Sequence, residues 1–222
     1  MGRSGVRVRT LMRTNENRFA LYLPRLILLA LALAATGCGD TAPKLAKLGA
    51  SEVIVAFGDS LTYGTGAKED ESYPAVLAQL TGRKVIRSGV PGEVTAQSLS
   101  RLPEVFAENQ PDLMIVCLGG NDMLRRVSET ETKANLRAII KTIKEHGIRI
   151  VLIGVPRPAL LAGPPELYGE LAKEFGIPYE GGILKDVLYS ADMKSDAIHP
   201  NARGYRRMAE AIAELLRKSG AL

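Results

Sequence analysis

Apolar residues in this chain fall into short β-branched runs separated by stretches with helical spacing. Residues 51–57 end in Val53-Ile54-Val55-Ala56-Phe57, residues 113–118 contain Met114-Ile115-Val116, and residues 149–155 contain Ile150-Val151-Leu152-Ile153. Continuous runs of this length predict strands covered on both faces. Residues 84–87 predict a shorter strand, and residues 178–183 a weaker fifth one. Helices are predicted over 72–80, 96–108, 129–146 and 166–175, and from about 202 onward through Met208, Ala209, Ile212 and Leu216. In the third of these, Leu136, Ile139, Ile140 and Ile143 repeat at helical intervals among Lys and Glu. Gly82 and Gly147 are the expected stops, and Pro74 suits a first turn. Thr95 is placed to cap its helix, and Pro103 is expected to kink or divide it. Strands alternating with helices predict an α/β fold with a parallel five-stranded sheet and helices on both faces. One such domain over residues 51–222, with an N-terminal appendage, fits the length of 222 residues.

The appendage has its own pattern. An arginine-rich stretch, residues 3–25, leads into ten apolar residues, 26–35. Crossing a bilayer takes roughly 20 apolar residues, so this run matches the core of a secretory signal peptide spanning residues 1–37. Ala35-Thr36-Gly37-Cys38 resembles the lipobox of bacterial lipoproteins. That resemblance implies cleavage before Cys38, a lipid on its thiol, and a protein exported to the cell envelope and held at a membrane. Plain secretion is a second reading. A signal-anchor helix reaching back to Phe19 is a third, interrupted by Pro24 and Arg25, and Met12 offers an alternative start. Residues 38–50, with the breakers Gly39 and Pro43, are expected to form a tether.

Charge narrows the choice of partners. The chain has 29 basic and 24 acidic residues, a formal net charge of +5, but six arginines and one glutamate fall within residues 1–37. The remainder is balanced at 23 of each, so a nucleic-acid partner has no electrostatic support. There is no Trp and few other aromatics to stack on bases. Cys117 sits inside an apolar run and reads as a buried core residue.

Candidate chemistry gathers at three junctions where a predicted strand breaks into small or polar residues: Gly58-Asp59-Ser60, Ser88-Gly89 and Gly119-Gly120-Asn121-Asp122. A parallel sheet delivers all such junctions to one edge, where ligands bind. Gly58-Asp59-Ser60 by itself also reads as an ordinary turn. Near the C-terminus, Asp196 and His199 stand three apart, close enough for carboxylate to meet imidazole. The chain has two histidines. His146 ends a predicted helix, where the helix dipole accounts for it. His199 is left as the imidazole that could serve Ser60, or as a brace for the terminal helix. Asp59 and Asp122 invite a metal, but no third carboxylate or His pair stands at ligand spacing. Hydrogen bonding within their own loops is the simpler account, and no metal or other cofactor is expected.

Taken together, Gly58-Asp59-Ser60-Leu61, Gly89, Gly119-Gly120-Asn121-Asp122 and Asp196-Ala197-Ile198-His199-Pro200-Asn201 resemble, in order and spacing, the four sequence blocks of the SGNH (GDSL) hydrolase superfamily. The resemblance runs from about Val53 to the end of the chain. The last block, through Tyr205, is most similar to the branch that holds bacterial arylesterases and periplasmic thioesterase/lysophospholipase enzymes. It implies a flavodoxin-like three-layer sandwich and hydrolysis of carboxylic esters through an acyl group on Ser60. His199 would take the serine proton and pass it to the leaving alcohol, two steps that suit an imidazole titrating near 6.5. Asp196 would hold the imidazole tautomer. The oxyanion would meet the N–H groups of Ser60 and Gly89 and the side-chain amide of Asn121. Gly89, lacking a Cβ, would let the backbone approach the substrate. The second block departs from the pattern: Arg87-Ser88 stand where an asparagine often begins it.

The loop from Pro156 to Pro165 follows the fourth strand and should overhang the same edge. Leu160 and Leu161, with Tyr168 beyond, are candidates to line an acyl pocket, or else they pack on the sheet. A small ester or lipid, aryl or short-to-medium acyl or a lysophospholipid, is the expected substrate. Two other readings use the same chain: an O-acetylesterase or acetyltransferase acting on envelope carbohydrate, and a non-catalytic ligand-binding lipoprotein.

Overall fold

The computed structural model describes residues 1–2, 42–158 and 162–222. Residues 3–37 of the expected signal peptide, the expected lipid site at Cys38, and Leu160 and Leu161 fall outside the described residues. Strands β1 (Val53–Gly58), β2 (Lys84–Gly89), β3 (Leu113–Cys117), β4 (Arg149–Ile153) and β5 (Tyr179–Glu180) form one parallel sheet in the order β2-β1-β3-β4-β5. That is the flavodoxin-like order, in which the chain reverses direction across the sheet between β1 and β3. Ile54 to Phe57 and the whole of β3 are fully buried, as their unbroken apolar runs require. Helices flank the sheet in two packed groups. In one, α2 (Tyr73–Thr81) packs against α8 (Ala202–Ser219), which also meets α7 (Ile183–Tyr189). In the other, α3 (Thr95–Asn109) packs on α5 (Glu129–Glu145), and α5 on α6 (Glu166–Phe175). Two short helices open directly from strand ends: α1 (Ser60–Tyr63) after β1 and α4 (Gly120–Leu124) after β3.

Several expectations need correcting. Helix α3 is continuous, with Pro103 inside it. Pro103 lies on the exposed side, where water can reach the carbonyl it leaves without a donor. Thr95 does not cap this helix. The Gln97 side chain accepts from the Val94 N–H at 3.1 Å, while Thr95 gives both its N–H and its hydroxyl proton to Asp122. Helix α7 had no counterpart in the pattern, although Ile183, Leu184 and Val187 form its buried side at a usable helical spacing.

The expected tether is docked over residues 42–50. The N–H of Leu45 donates to Ser219 and that of Leu48 to Ala221, both at 2.8 Å. Leu48 is buried, and Arg149 donates to the carbonyls of Ala46 and Lys47 at 3.2 Å. Backbone pairing outweighs the missing periodicity here. Among the described residues no helix is long and apolar enough to cross a membrane.

Gly58 ends β1, paired with Gly89 on one side and Cys117 on the other. A Cβ there would overlap the Thr62 hydroxyl and the Cys117 carbonyl. Gly58→Ala is therefore expected to destabilise the fold by about 1–3 kcal/mol, the usual cost of overpacking, read as a lower urea midpoint; an unchanged midpoint would contradict this packing.

Candidate active site

The turn after β1 is held almost entirely by one residue. Asp59 is buried and caps α1: its Oδ1 accepts the Leu61 N–H at 3.0 Å, and its carbonyl accepts from Thr62 at 3.1 Å and Tyr63 at 2.9 Å. The N–H of Ser60, first in the helix, has no acceptor among the described residues. Thr62 is in turn anchored to the buried Tyr73 hydroxyl at 3.0 Å. The turn thus projects both the Ser60 side chain and its N–H outward from the sheet edge.

His199 reaches Ser60 from a closed loop at the start of α8. Lys194 and Pro200 form an antiparallel bridge, and the Ser195 N–H donates to the His199 carbonyl at 2.9 Å. Asn201 accepts from the Gly204 N–H at 3.1 Å and donates to Asp192 at 3.0 Å, tying the loop to the helix it caps. Tyr205, one turn into α8, donates its hydroxyl proton to the Thr65 carbonyl at 2.8 Å. That bond fastens the histidine's helix to the segment following the serine.

Within this frame His199 Nε2 lies 3.1 Å from Ser60 Oγ, and His199 Nδ1 lies 2.8 Å from Asp196 Oδ2. The carboxylate assigns the proton to Nδ1 and leaves Nε2 with a lone pair toward the serine. Asp196 is steadied by two further donors on Oδ1, the N–H groups of Ile198 at 2.8 Å and His199 at 2.9 Å. Partial burial pulls its pKa upward. The bonds from Ile198 and His199 outweigh this and hold it below the usual carboxylate value, so it stays ionised beside the imidazole.

Asn121 arrives from the neighbouring strand, β3, on α4. Its Nδ2 donates to the Glu93 carbonyl at 3.0 Å and, less closely, to Asp59 Oδ2 at 3.3 Å. Gly119, with φ of 105°, makes the turn before it. Asp122, next along, is buried and accepts from Thr95 and Thr132. Asp59 thus accepts from its own turn and from Asn121, and the Asp122 carboxylate from Thr95 and Thr132 of other segments, which departs from the local bonding expected of them.

Ser60, Asn121 and His199 meet on the wall of one cavity of about 370 Å³. The rest of that wall is largely apolar, from Leu61, Leu124, Val155, Pro156, Leu188 and Ile198, with Arg157 and Lys194 also on it. A few polar groups converging in an apolar cleft of this size are the usual form of a small-molecule site.

Two expected site residues are placed elsewhere. Tyr168 does not line this cavity. It is buried at 1 % exposure, donates to the Leu118 carbonyl at 2.8 Å and backs the Gly119 turn, bordering a smaller cavity of about 310 Å³. A large ring packed there backs the strand end and glycine turn that precede Asn121 and lies off the cavity wall. Gly89 is absent from the cavity wall as well. The space its Cβ would occupy is taken by the backbone of Tyr63, Asp59 and Thr62. Its smallness thus admits the nucleophile turn, where the sequence had suggested the substrate.

Behind the cavity lies a polar network that the motifs did not announce. The Glu93 carboxylate, buried at 6 % exposure, accepts from Ser98 at 2.7 Å and from Arg101 Nε and Nη2 at 2.8 Å each. Arg101 also reaches Ser88 and Gly58. A lone Arg on a helix carries no sequence signal of this kind, since its partners come from three separate segments.

Known proteins agree with this geometry. The profile of the GDSL-like Lipase/Acylhydrolase family matches residues 56–207. Thioesterase 1/protease 1/lysophospholipase L1 of Escherichia coli strain K12 is 29% identical over 213 residues, covering 92% of this chain and 96% of that protein. The arylesterase of Vibrio mimicus is 28% identical over 180 residues, covering 76% and 90%. Among solved structures, the SGNH-hydrolase family esterase AlinE4 is 34% identical with a TM-score of 0.60, covering 78% of this chain and 98% of that one. A matching profile across the sheet, the serine turn and the histidine loop, with esterases among the relatives, means that this chain belongs to the GDSL-like lipase/acylhydrolase family and is a carboxylic ester hydrolase.

Proposed function

We propose that the chain hydrolyses esters with an apolar aryl or short-to-medium acyl group, lysophospholipids included, through an acyl-enzyme on Ser60. The observation that carries this reading is the unbroken run from Asp196 through His199 to Ser60 Oγ on the wall of an apolar cavity. As Oγ attacks the ester carbonyl, its proton passes to His199 Nε2, because a free hydroxyl is a weak nucleophile. The imidazolium formed is stabilised by the ionised Asp196. Nε2–H then protonates the departing alcohol oxygen as the C–O bond breaks. Water repeats the sequence and releases the acid.

The negative oxygen of the tetrahedral intermediate needs donors already in place. The Ser60 N–H, without an acceptor, supports that role. So does Asn121: its bond to Glu93 orients the amide, and the longer contact to Asp59 is the one it can surrender to substrate. Gly89, packed under the turn, remains a third donor on the strength of the family resemblance.

Burial raises the Asp59 carboxyl to about 7, against the Leu61 N–H, which lowers it, and with the charges of Glu93 and Asp122, which raise it further. Below that pH a neutral Asp59 places no opposing charge beside the developing oxyanion.

The apolar wall supports acyl or aryl groups over a carbohydrate O-acetyl group. The leader pattern and the Ala35–Cys38 resemblance support export with a lipid on Cys38, a setting that argues against cytosolic acyl-CoA as the physiological substrate.

Steady-state rates on p-nitrophenyl esters from acetate to longer acyl chains test the reading. Turnover is expected to rise from acetate to a medium chain; acetate-only turnover would favour the carbohydrate O-acetyl reading, and none on any ester a binding protein. Ser60→Ala should fall to background, and Asn121→Ala should lower kcat by about 10²–10³-fold while remaining folded. Near-parental kcat in the second would remove Asn121 from the oxyanion site. A pH effect follows from Asp59. Between its ordinary value near 3.8 and its folded value of about 7, the folded state keeps a proton that the unfolded chain releases. Stability is thus expected to fall as pH rises through that window, and urea midpoints of Asp59→Asn should lose that part of the slope.

A further inference from the structure

Arg101 lies outside the cavity wall, on α3, yet its guanidinium is tied directly to the ends of β1 and β2 and, through Glu93, to the Asn121 amide. Nη2 reaches the carbonyl of Gly58 at 3.3 Å, two residues ahead of Ser60. Nη1 donates to Ser88 Oγ at 2.8 Å and Nη2 to the Ser88 carbonyl at 3.2 Å, immediately before Gly89. Nε and Nη2 grip the two oxygens of Glu93, whose own carbonyl accepts from Asn121. The cation also lies over the Phe57 ring near the end of β1, with Cζ 4.4 Å from the ring centroid.

We propose that Arg101 is a positioning residue for ester hydrolysis: it sets the spacing between the Ser60 turn, the Gly89 turn and the Asn121 amide, and so the shape of the oxyanion site. The inference rests on the oxyanion reading given above. A planar fork can grip a carboxylate with two parallel bonds and still reach neighbouring carbonyls, which a lysine ammonium cannot do. Without it the β1 and β2 ends lose a shared donor. The Glu93 carboxylate is left with Ser98 alone, and the carbonyl that orients Asn121 loses that anchor on its own residue. Misplacing an oxyanion donor costs transition-state stabilisation and leaves ground-state binding in the apolar cavity intact.

Arg101→Gln and Arg101→Lys, each made with and without Asn121→Ala, test this. The readouts are kcat and KM on a p-nitrophenyl ester, the affinity of an alkyl boronic acid that forms a tetrahedral anionic adduct on serine, and the urea midpoint. In the parental background Arg101→Gln is expected to lower kcat by about 10–100-fold with KM within about twofold, and to weaken the boronic acid in proportion. In the Asn121→Ala background the same change should cost several-fold less than in the parental one, because the part of the loss that runs through the Asn121 amide has already been taken and residues acting as one unit are not additive. Arg101→Lys should follow the same pattern with smaller losses. If Arg101→Gln does not fold, Arg101→Lys is read instead. If neither folds, Ser98→Ala, which loosens Glu93 without baring a charge, is read in the same way. Parental kcat in a folded Arg101 variant, or equal losses in both backgrounds, overturns the positioning role. Near-parental kcat in Asn121→Ala alone overturns the oxyanion reading itself, and so is told apart from a failure of the Arg101 inference.

Discussion

Pairing of β1 between β2 and β3 is the constraint on which the rim depends. Gly58 is bonded across to both neighbours at the point where the strand order reverses, and neither its own side nor that of Gly89 has room for a methyl group. Because the strands are parallel and in register, the residues just beyond them leave the sheet at one height. That brings Ser60 and Asn121, 61 positions apart in the chain, to the same rim. Bulk at either glycine would lift the nucleophile turn off the sheet, and every distance at the site would change with it.

The second half of the site is hung from a helix. His199 belongs to a loop with little apolar anchoring of its own, so its position is set by the bridge at Pro200, the Asn201 cap and the Tyr205 bond to Thr65. Asp196 approaches the imidazole from within the same loop, so the pair moves as a unit. The long buried helix α8, with Met208, Ala209, Ile212 and Leu216 in the core, fixes that unit against the sheet. Exposure of Asp196, at 53 % of its side chain, is tolerable because three hydrogen bonds within the loop hold it.

Polar groups under the rim are costly unless each finds a partner. Here Glu93 is met by Arg101 and Ser98, Asp122 by Thr95 and Thr132, and Asp59 by Leu61 and Asn121. Among the described residues no buried side-chain polar atom lacks a bond. The first two carboxylates are spent on structure, joining segments that the sheet brings close. The third differs: with no cation in contact, its proton is held by burial, and it alone touches both the serine turn and the Asn121 amide.

Local pattern determined a good deal by itself. Unbroken apolar runs marked β1, β3 and β4, because a strand covered on both faces has no polar position to spare. Heptad-like spacing marked α5 and α8, and the bounds of α6 were legible to the residue. Ser60, Asn121, Asp196 and His199 were singled out by short blocks that resemble the family's, Ser60 and His199 also by the strand break and the shortage of other imidazoles, and the fold brings all four together. Tertiary structure decided the rest. It moved Tyr168 from the expected pocket to the underside of Gly119, turned the reason for Gly89 from substrate approach to packing, kept α3 whole through Pro103, and docked residues 42–50 along the end of α8. It also assembled the Arg101 and Glu93 network. Pro103 apart, whose exposed position spares the helix, none of these leaves a periodic or local trace, because each is a contact between segments far apart in the chain, and only the folded packing says which neighbour a side chain will meet.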